Sequence, residues 1–117
     1  SVTVDSVKYG IASTEGNTET GSVIVTLMAL NTGDDAFSKI LHGASLNDYD
    51  GNIYQCSEDS MSVGGLSNYE VLRKNINTKI YLKFTNVSAN ARISNISFYG
   101  GSGTTLFSLR DIKIDWK

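Results

Sequence analysis

A chain of 117 residues with 40% hydrophobic and 19% charged side chains is long enough for one core, read as a single domain over 1–117, and too apolar for a disordered chain. Its net charge of −2 and pI near 5.2 come from intermixed acids and bases, with no lysine/arginine stripe to neutralise a run of phosphates, which excludes nucleic acid as the expected partner. The longest apolar runs, Val23-Ile24-Val25 and Leu27-Met28-Ala29-Leu30, end at Asn31, well short of the roughly 20 residues of a spanning helix, so no transmembrane segment is expected.

In chain order, the apolar pattern has a period of two, the signature of strands with one face in a core. Val2/Val4 change phase to Val7/Tyr9/Ile11, which predicts a bulge or bend near Asp5-Ser6. Residues 13–21 read as a turn cluster. Over 22–30, Val23, Val25, Leu27 and Ala29 share one face while Ile24, Met28 and Leu30 share the other, predicting a central strand partly covered on both sides. After a turn at 31–35, residues 34–42 are the best helical candidate, since Phe37, Ile40 and Leu41 have i, i+3, i+4 spacing, although Phe37/Lys39/Leu41 suit a strand equally.

Further turns are predicted at 48–52, 63–68, 86–90 and 100–104. Between them, Ile80, Leu82 and Phe84 alternate with Tyr81, Lys83 and Thr85 in the cleanest strand of the chain. Ile93 changes phase to Ile96/Phe98, and Phe107/Leu109 to Ile112/Ile114/Trp116, predicting bulges or bends near Ser94-Asn95 and Arg110-Asp111. The glycine-rich pieces Val63-Gly64-Gly65-Leu66 and Gly100-Gly101-Ser102-Gly103 lack the following helix of a dinucleotide cradle and read as hairpin loops. The pattern predicts an all-β fold, an antiparallel immunoglobulin-like β-sandwich of roughly 7–9 strands. There is no proline to guard its edges, so Lys79/Lys83, Lys113 or bulges must do so; an unguarded edge would accept a partner strand.

Catalytic machinery is thin, and no enzyme is expected. His42 is the sole histidine and Cys56 the sole cysteine, so a histidine-rich metal centre and an internal disulfide cannot be assembled. Cys56 reads as a small buried hydrophobe. The acid pairs Asp34/Asp35, Asp48/Asp50 and Glu58/Asp59 lie in polar turns, where carboxylates are usually solvated.

Asp48, Asp50 and Asn52 place oxygen ligands at alternate positions, as a loop wrapping Ca²⁺ would. Gly51, however, is at the fourth position instead of the sixth, and Asp59 stands where a calcium loop has Glu. The same residues read as an Asp-Gly hairpin turn between strands. Tyr49, Tyr54 and Tyr99, with Tyr69 and Tyr81, are candidates for outward rings that stack on sugar; the competing reading is that strand tyrosines half-bury themselves.

The segment Leu46-Asn47-Asp48-Tyr49-Asp50-Gly51-Asn52-Ile53-Tyr54, followed by Leu82-Lys83-Phe84-Thr85-Asn86-Val87-Ser88-Ala89-Asn90-Ala91 and the strand 93–98, resembles small immunoglobulin-like domains of bacterial secreted proteins and lipoproteins of unknown function. The resemblance implies an envelope-facing sandwich without established catalytic residues. Richness in Ser, Thr, Asn and Gly is common in exported bacterial β-domains, and the chain starts at Ser1, so removal of a targeting segment or lipid anchor upstream is an expectation. The expected function is a non-catalytic extracellular or cell-envelope interaction module for a protein or glycan at the bacterial surface. The alternative is a carbohydrate-binding accessory domain, stabilised by Ca²⁺ if the acidic turn holds it.

Overall fold

The structure, a computed structural model, describes residues 1–34, 36–37, 42–57, 60–63, 71–100 and 104–117. Its strands are β1 (Val2–Val4), β2 (Val7–Asn17), β3 (Ser22–Asn31), β4 (Ala36–Phe37), β5 (Gly43–Asp48), β6 (Ile53–Ser57), β7 (Met61–Val63), β8 (Val71–Leu72), β9 (Asn77–Phe84), β10 (Ile93–Tyr99), β11 (Thr105–Arg110) and β12 (Asp115–Trp116). The larger sheet has the order β1-β2-β3-β9-β7, with β12 added to β2; the smaller runs β11-β10-β5-β6, and β4-β8 form a separate ribbon. Among the described residues, every pairing between strands is antiparallel except β12 on β2. The protein is a β-sandwich.

The alternation that predicts strands also builds the core. Val23, Val25, Leu27 and Ala29 of β3 and Ile80, Leu82 and Phe84 of β9 face inward from the larger sheet. They meet Ala44 and Leu46 of β5, Ile96 and Phe98 of β10, and Phe107 and Leu109 of β11. Tyr9 of β2 stacks on Phe107 at 4.6 Å, and Phe107 on Phe98 at 4.5 Å. This stack crosses from one sheet to the other; each ring pair is worth about 0.5–1.5 kcal/mol beyond the area it buries. The Tyr9 hydroxyl is buried without a hydrogen-bond partner among the described residues. Burial, and secondarily the charge of Asp5, push its pKa up to about 12.

The phase changes have different physical origins. Asp5 and Ser6 both have positive φ, 49° and 68°, between the paired residues Val4 and Val7. They form the two-residue turn of a β1-β2 hairpin rather than a bulge in one strand. The expected irregularity at Ser94-Asn95 is present as a register shift between Ile93 and Asn95. Asp111, φ 59°, ends β11 with a bend, its N–H bonded to the Ser94 carbonyl at 3.0 Å.

Two shifts, at Ile11/Ser13 and Phe98/Tyr99, are additional to those predicted. The turn expected at 13–21 is shorter: β2 continues to Asn17, because the shift at Ile11/Ser13 turns Thr14 and Gly16 inward opposite Val25 and Val23. Of the helical candidate 34–42, residues 36–37 form strand β4, and 35 and 38–41 lie outside the described residues, as do Tyr69 and most of the turns expected at 63–68 and 100–104.

The C-terminal segment closes the open side of β2. Ile112 and Ile114 are buried without strand pairing, and only Asp115–Trp116 pairs, in parallel, with Glu15 and Gly16. The Lys117 N–H donates to the Gly16 carbonyl at 2.9 Å, and the Thr18 N–H to the Lys117 carbonyl at 3.0 Å. Trp116 Nε1–H donates to the Ala91 carbonyl at 3.3 Å.

Candidate binding surfaces

The acidic loop joining β5 to β6 is a hairpin turn built around one carboxylate. Asp48 N–H donates to the Asn52 carbonyl at 3.0 Å, and Gly51, at φ 89°, donates to the Asp48 carbonyl at 3.4 Å. This is a three-residue loop that needs glycine at its left-handed position. Asp48 Oδ1 accepts from the N–H groups of Asp50 and Asn52 at 3.0 and 2.8 Å. Its Oδ2 accepts from Asn52 Nδ2 at 3.0 Å and Tyr54 Oη at 3.1 Å. Desolvation raises the pKa of this carboxyl, but the four hydrogen bonds, led by those from Asn52, outweigh it and hold the group below the usual range. A carboxylate offers about four lone-pair positions, so these bonds occupy the capacity of Asp48; a cation would have to displace the loop's own donors. Asp50 is exposed.

The three candidate tyrosines do not converge. Tyr54 pairs with Leu46 on the core side of the smaller sheet, and its hydroxyl is held by Asp48. Tyr99 lies opposite Gly43 at the other end of β5, with its hydroxyl 2.6 Å from Ser45 Oγ. Tyr49 differs: it is 60% exposed, its N–H is bonded to the Arg92 carbonyl at 3.1 Å, and the Arg92 guanidinium lies 5.4 Å from its ring centroid.

Beside Tyr49 is a groove that no local motif announces. A hollow of about 350 Å³ is lined by Tyr49, Arg92, Asp111, Lys113 and the apolar Ile112 and Ile114. A second, of about 530 Å³, is lined by Arg110, Ser108, Ile11 and Thr14 and shares Asp111, Ile112 and Lys113 with the first. The segment 111–113 therefore separates two adjoining hollows. It is anchored by the Asp111 N–H bond to the Ser94 carbonyl and by a hydrogen bond from the Thr14 hydroxyl to the Lys113 carbonyl.

A different surface covers the outside of the larger sheet. On β3, Ile24, Met28 and Leu30 face away from the core, with Ile24 43% exposed and the other two half-buried. Register places Lys79 beside Met28, and Glu15 and Lys83 on either side of Ile24. Lys8 flanks Leu30, and Tyr81 flanks Thr26. Two shallow hollows adjoin this stripe, and both include Ile24 and Lys83. The outer face of the smaller sheet is polar instead, with Ser108, Ser97, Ser45 and Gln55 in one row across its four strands.

Cys56 is buried, as expected, and burial raises its pKa to about 11 against a smaller opposing hydrogen bond at Lys83. A nucleophilic cysteine needs the opposite shift. Among the described residues no group of three or more His, Cys, Asp or Glu is placed to hold a metal ion, and no helix is long and apolar enough to cross a membrane.

No family model matches the chain, and no curated protein matches it by sequence. Among solved structures, it is similar to MPT63, a secreted protein from Mycobacterium tuberculosis, at 9% identity and a TM-score of 0.61, over 90% of this chain and 82% of that one. It is also similar to FlaG, the archaellum periplasmic stator protein from Sulfolobus acidocaldarius, at 16% identity and a TM-score of 0.52, over 88% of this chain and 99% of that one. At these identities the likeness is one of fold, and the shared fold is the β-sandwich.

Proposed function

We propose that this protein is a non-catalytic, extracytoplasmic interaction module that grips a protein partner with the outer face of its larger sheet. The observation carrying this reading is the apolar stripe of Ile24, Met28 and Leu30 on the solvent side of the central strand. A sheet with one face in the core ordinarily alternates apolar-in with polar-out; β3 is apolar on both sides. Lys8, Lys79 and Lys83 frame the stripe, and none forms an ion pair among the described residues. The matching partner surface is apolar at its centre and acidic at its rim. Placement outside the cytoplasm is supported by the secreted and periplasmic sandwiches of similar fold and by the resemblance to bacterial secreted immunoglobulin-like domains. A non-catalytic role is supported by the burial of Cys56, the sole cysteine, and by the engagement of the Asp48 carboxylate in its own turn.

A photo-crosslinking residue at position 24 tests this reading against the same residue at Gln55, on the polar face of the other sheet. Position 24 should give one dominant adduct with an envelope or secreted protein, and position 55 should not. Equal labelling from both positions, or none from position 24, contradicts the assignment.

A second reading, a carbohydrate-binding accessory domain, is favoured by one observation: the exposed Tyr49 ring stands at the mouth of the groove around 111–113. Pairing of a sugar face with an exposed aromatic ring is the chemistry this position offers. The Ca²⁺ contribution to that reading would have to come from Asp50 with an Asp48 released from its turn.

A further inference from the structure

The geometry points to an acidic polysaccharide, one whose sugar units carry carboxylates, as the ligand of the groove around 111–113. This inference rests on the carbohydrate reading of Tyr49 and names the class of sugar. Arg92 and Lys113 line the hollow beside Tyr49, while Arg110 and Lys113 line the adjoining one. These are three of only ten basic residues in a chain of net charge −2. None of the three forms an ion pair among the described residues, and the acid common to both hollows is Asp111.

Arg92, Arg110 and Lys113 are exposed and stand beside the buried Ile112 and Ile114, where each can donate charge-assisted hydrogen bonds to a bound carboxylate. Guanidinium groups present the planar fork that matches a carboxylate. The site is also fixed in place. Asp111 holds a left-handed backbone conformation, φ 59°, its own N–H is bonded to the Ser94 carbonyl and the Lys113 carbonyl accepts from the Thr14 hydroxyl, so the backbone of Lys113 is held between the two hollows.

The ring selects a sugar over an acidic peptide. Tyr49 is 60% exposed with the Arg92 guanidinium over its ring, so the flat C–H face of a pyranose would pack on the side of the ring away from Arg92 while its substituents reach Arg92 and Lys113. Two hollows in series suit consecutive units of a polymer.

Calorimetric titration of the full chain with polygalacturonate and alginate oligosaccharides tests this, with a neutral β-glucan oligosaccharide and poly-glutamate as comparison ligands. Uronate oligomers should bind, more weakly as salt rises, and the neutral glucan should not. Affinity should fall about tenfold or more in Arg92→Gln with Lys113→Gln, and by a similar factor in Tyr49→Leu, which keeps the loop apolar at that position. Trp116 fluorescence confirms that each variant is folded. Equal binding of the neutral glucan would overturn the acidic assignment while leaving the carbohydrate reading standing. Failure to bind any saccharide would overturn both. Binding of poly-glutamate as tight as that of the uronates, unaffected by Tyr49→Leu, would replace the sugar with an acidic peptide.

Discussion

Gly16→Ala should detach the C-terminal strap from β2. An added Cβ at Gly16 would sit 2.5 Å from Trp116 Cε3 and 2.8 Å from both Trp116 Cδ2 and Ile114 Cγ2. Carbon atoms pack best at about 3.5–4.0 Å, so the indole must retreat by about 1 Å. The ring lacks room to swing freely, since its Nε1–H is bonded to Ala91 and its backbone pairs with Gly16. Overpacking of this kind costs about 1–3 kcal/mol. For a domain of this size that corresponds to a melting temperature lower by about 4–12 °C. Trp116 is the only tryptophan, so its emission should shift to the red in the folded variant while circular dichroism reports the melt. An unchanged melting temperature together with unchanged emission would refute the placement of β12 on β2.

Tyr9→Phe should leave stability unchanged or raise it by about 1 kcal/mol, because it removes a buried hydroxyl that lacks a partner among the described residues and keeps the stacked ring. Its pH dependence follows from the same burial. The folded pKa of Tyr9, about 12, lies above the ordinary value of 10.0, so its contribution is complete below pH 10 and is lost as pH rises towards 12. Chemical denaturation across that window should show the decline in wild type and a smaller one in Tyr9→Phe. The Cys56 thiol should react with a disulfide reagent at neutral pH only as fast as the protein opens, and at the ordinary rate once denatured. Asp48, with its pKa held down, stabilises the fold above the usual carboxylate pKa and loses that contribution as pH falls through its folded value. Asp48→Ala should therefore lower the melting temperature at neutral pH and flatten the acid limb. Ca²⁺ in place of EDTA should leave the wild-type melting temperature unchanged; a rise that disappears in Asp50→Ala would instead establish a cation at the loop.

How much was legible depended on whether the information was local. β9 could be read directly, because Ile80, Leu82 and Phe84 alternate with side chains that solvent accepts. The apolar second face of β3 was equally visible, and it became the candidate interface. The bulge or bend expected near Asp5-Ser6 is a full chain reversal, and the pattern could not separate these because a two-residue turn shifts the apolar phase in one dimension just as an inserted residue does. The end of β2 was hidden because Thr14 and Gly16 are small and polar for a reason that lies some hundred positions away: Ile114 and Trp116 cover Gly16, and Thr14 bonds the Lys113 carbonyl.

The Asp48 turn was legible as a hairpin, whereas the use of both carboxylate oxygens by Asp50, Asn52 and Tyr54 was not, because it depends on how the loop folds back over the Asp48 side chain. The groove was not legible at all. Tyr49, Arg92 and Lys113 come from three separate segments, and they line one hollow because Tyr49 is bonded to Arg92 and Asp111 to Ser94, both beside the start of β10.

The most direct test of the proposed interaction surface is the affinity of the purified partner, recovered through position 24, for wild type and for Ile24→Glu. The substitution is at a partly exposed position, so the melting temperature should hold. Placing a carboxylate at the centre of an apolar contact should weaken binding at least about tenfold. Binding of the two proteins with equal affinity would contradict the account.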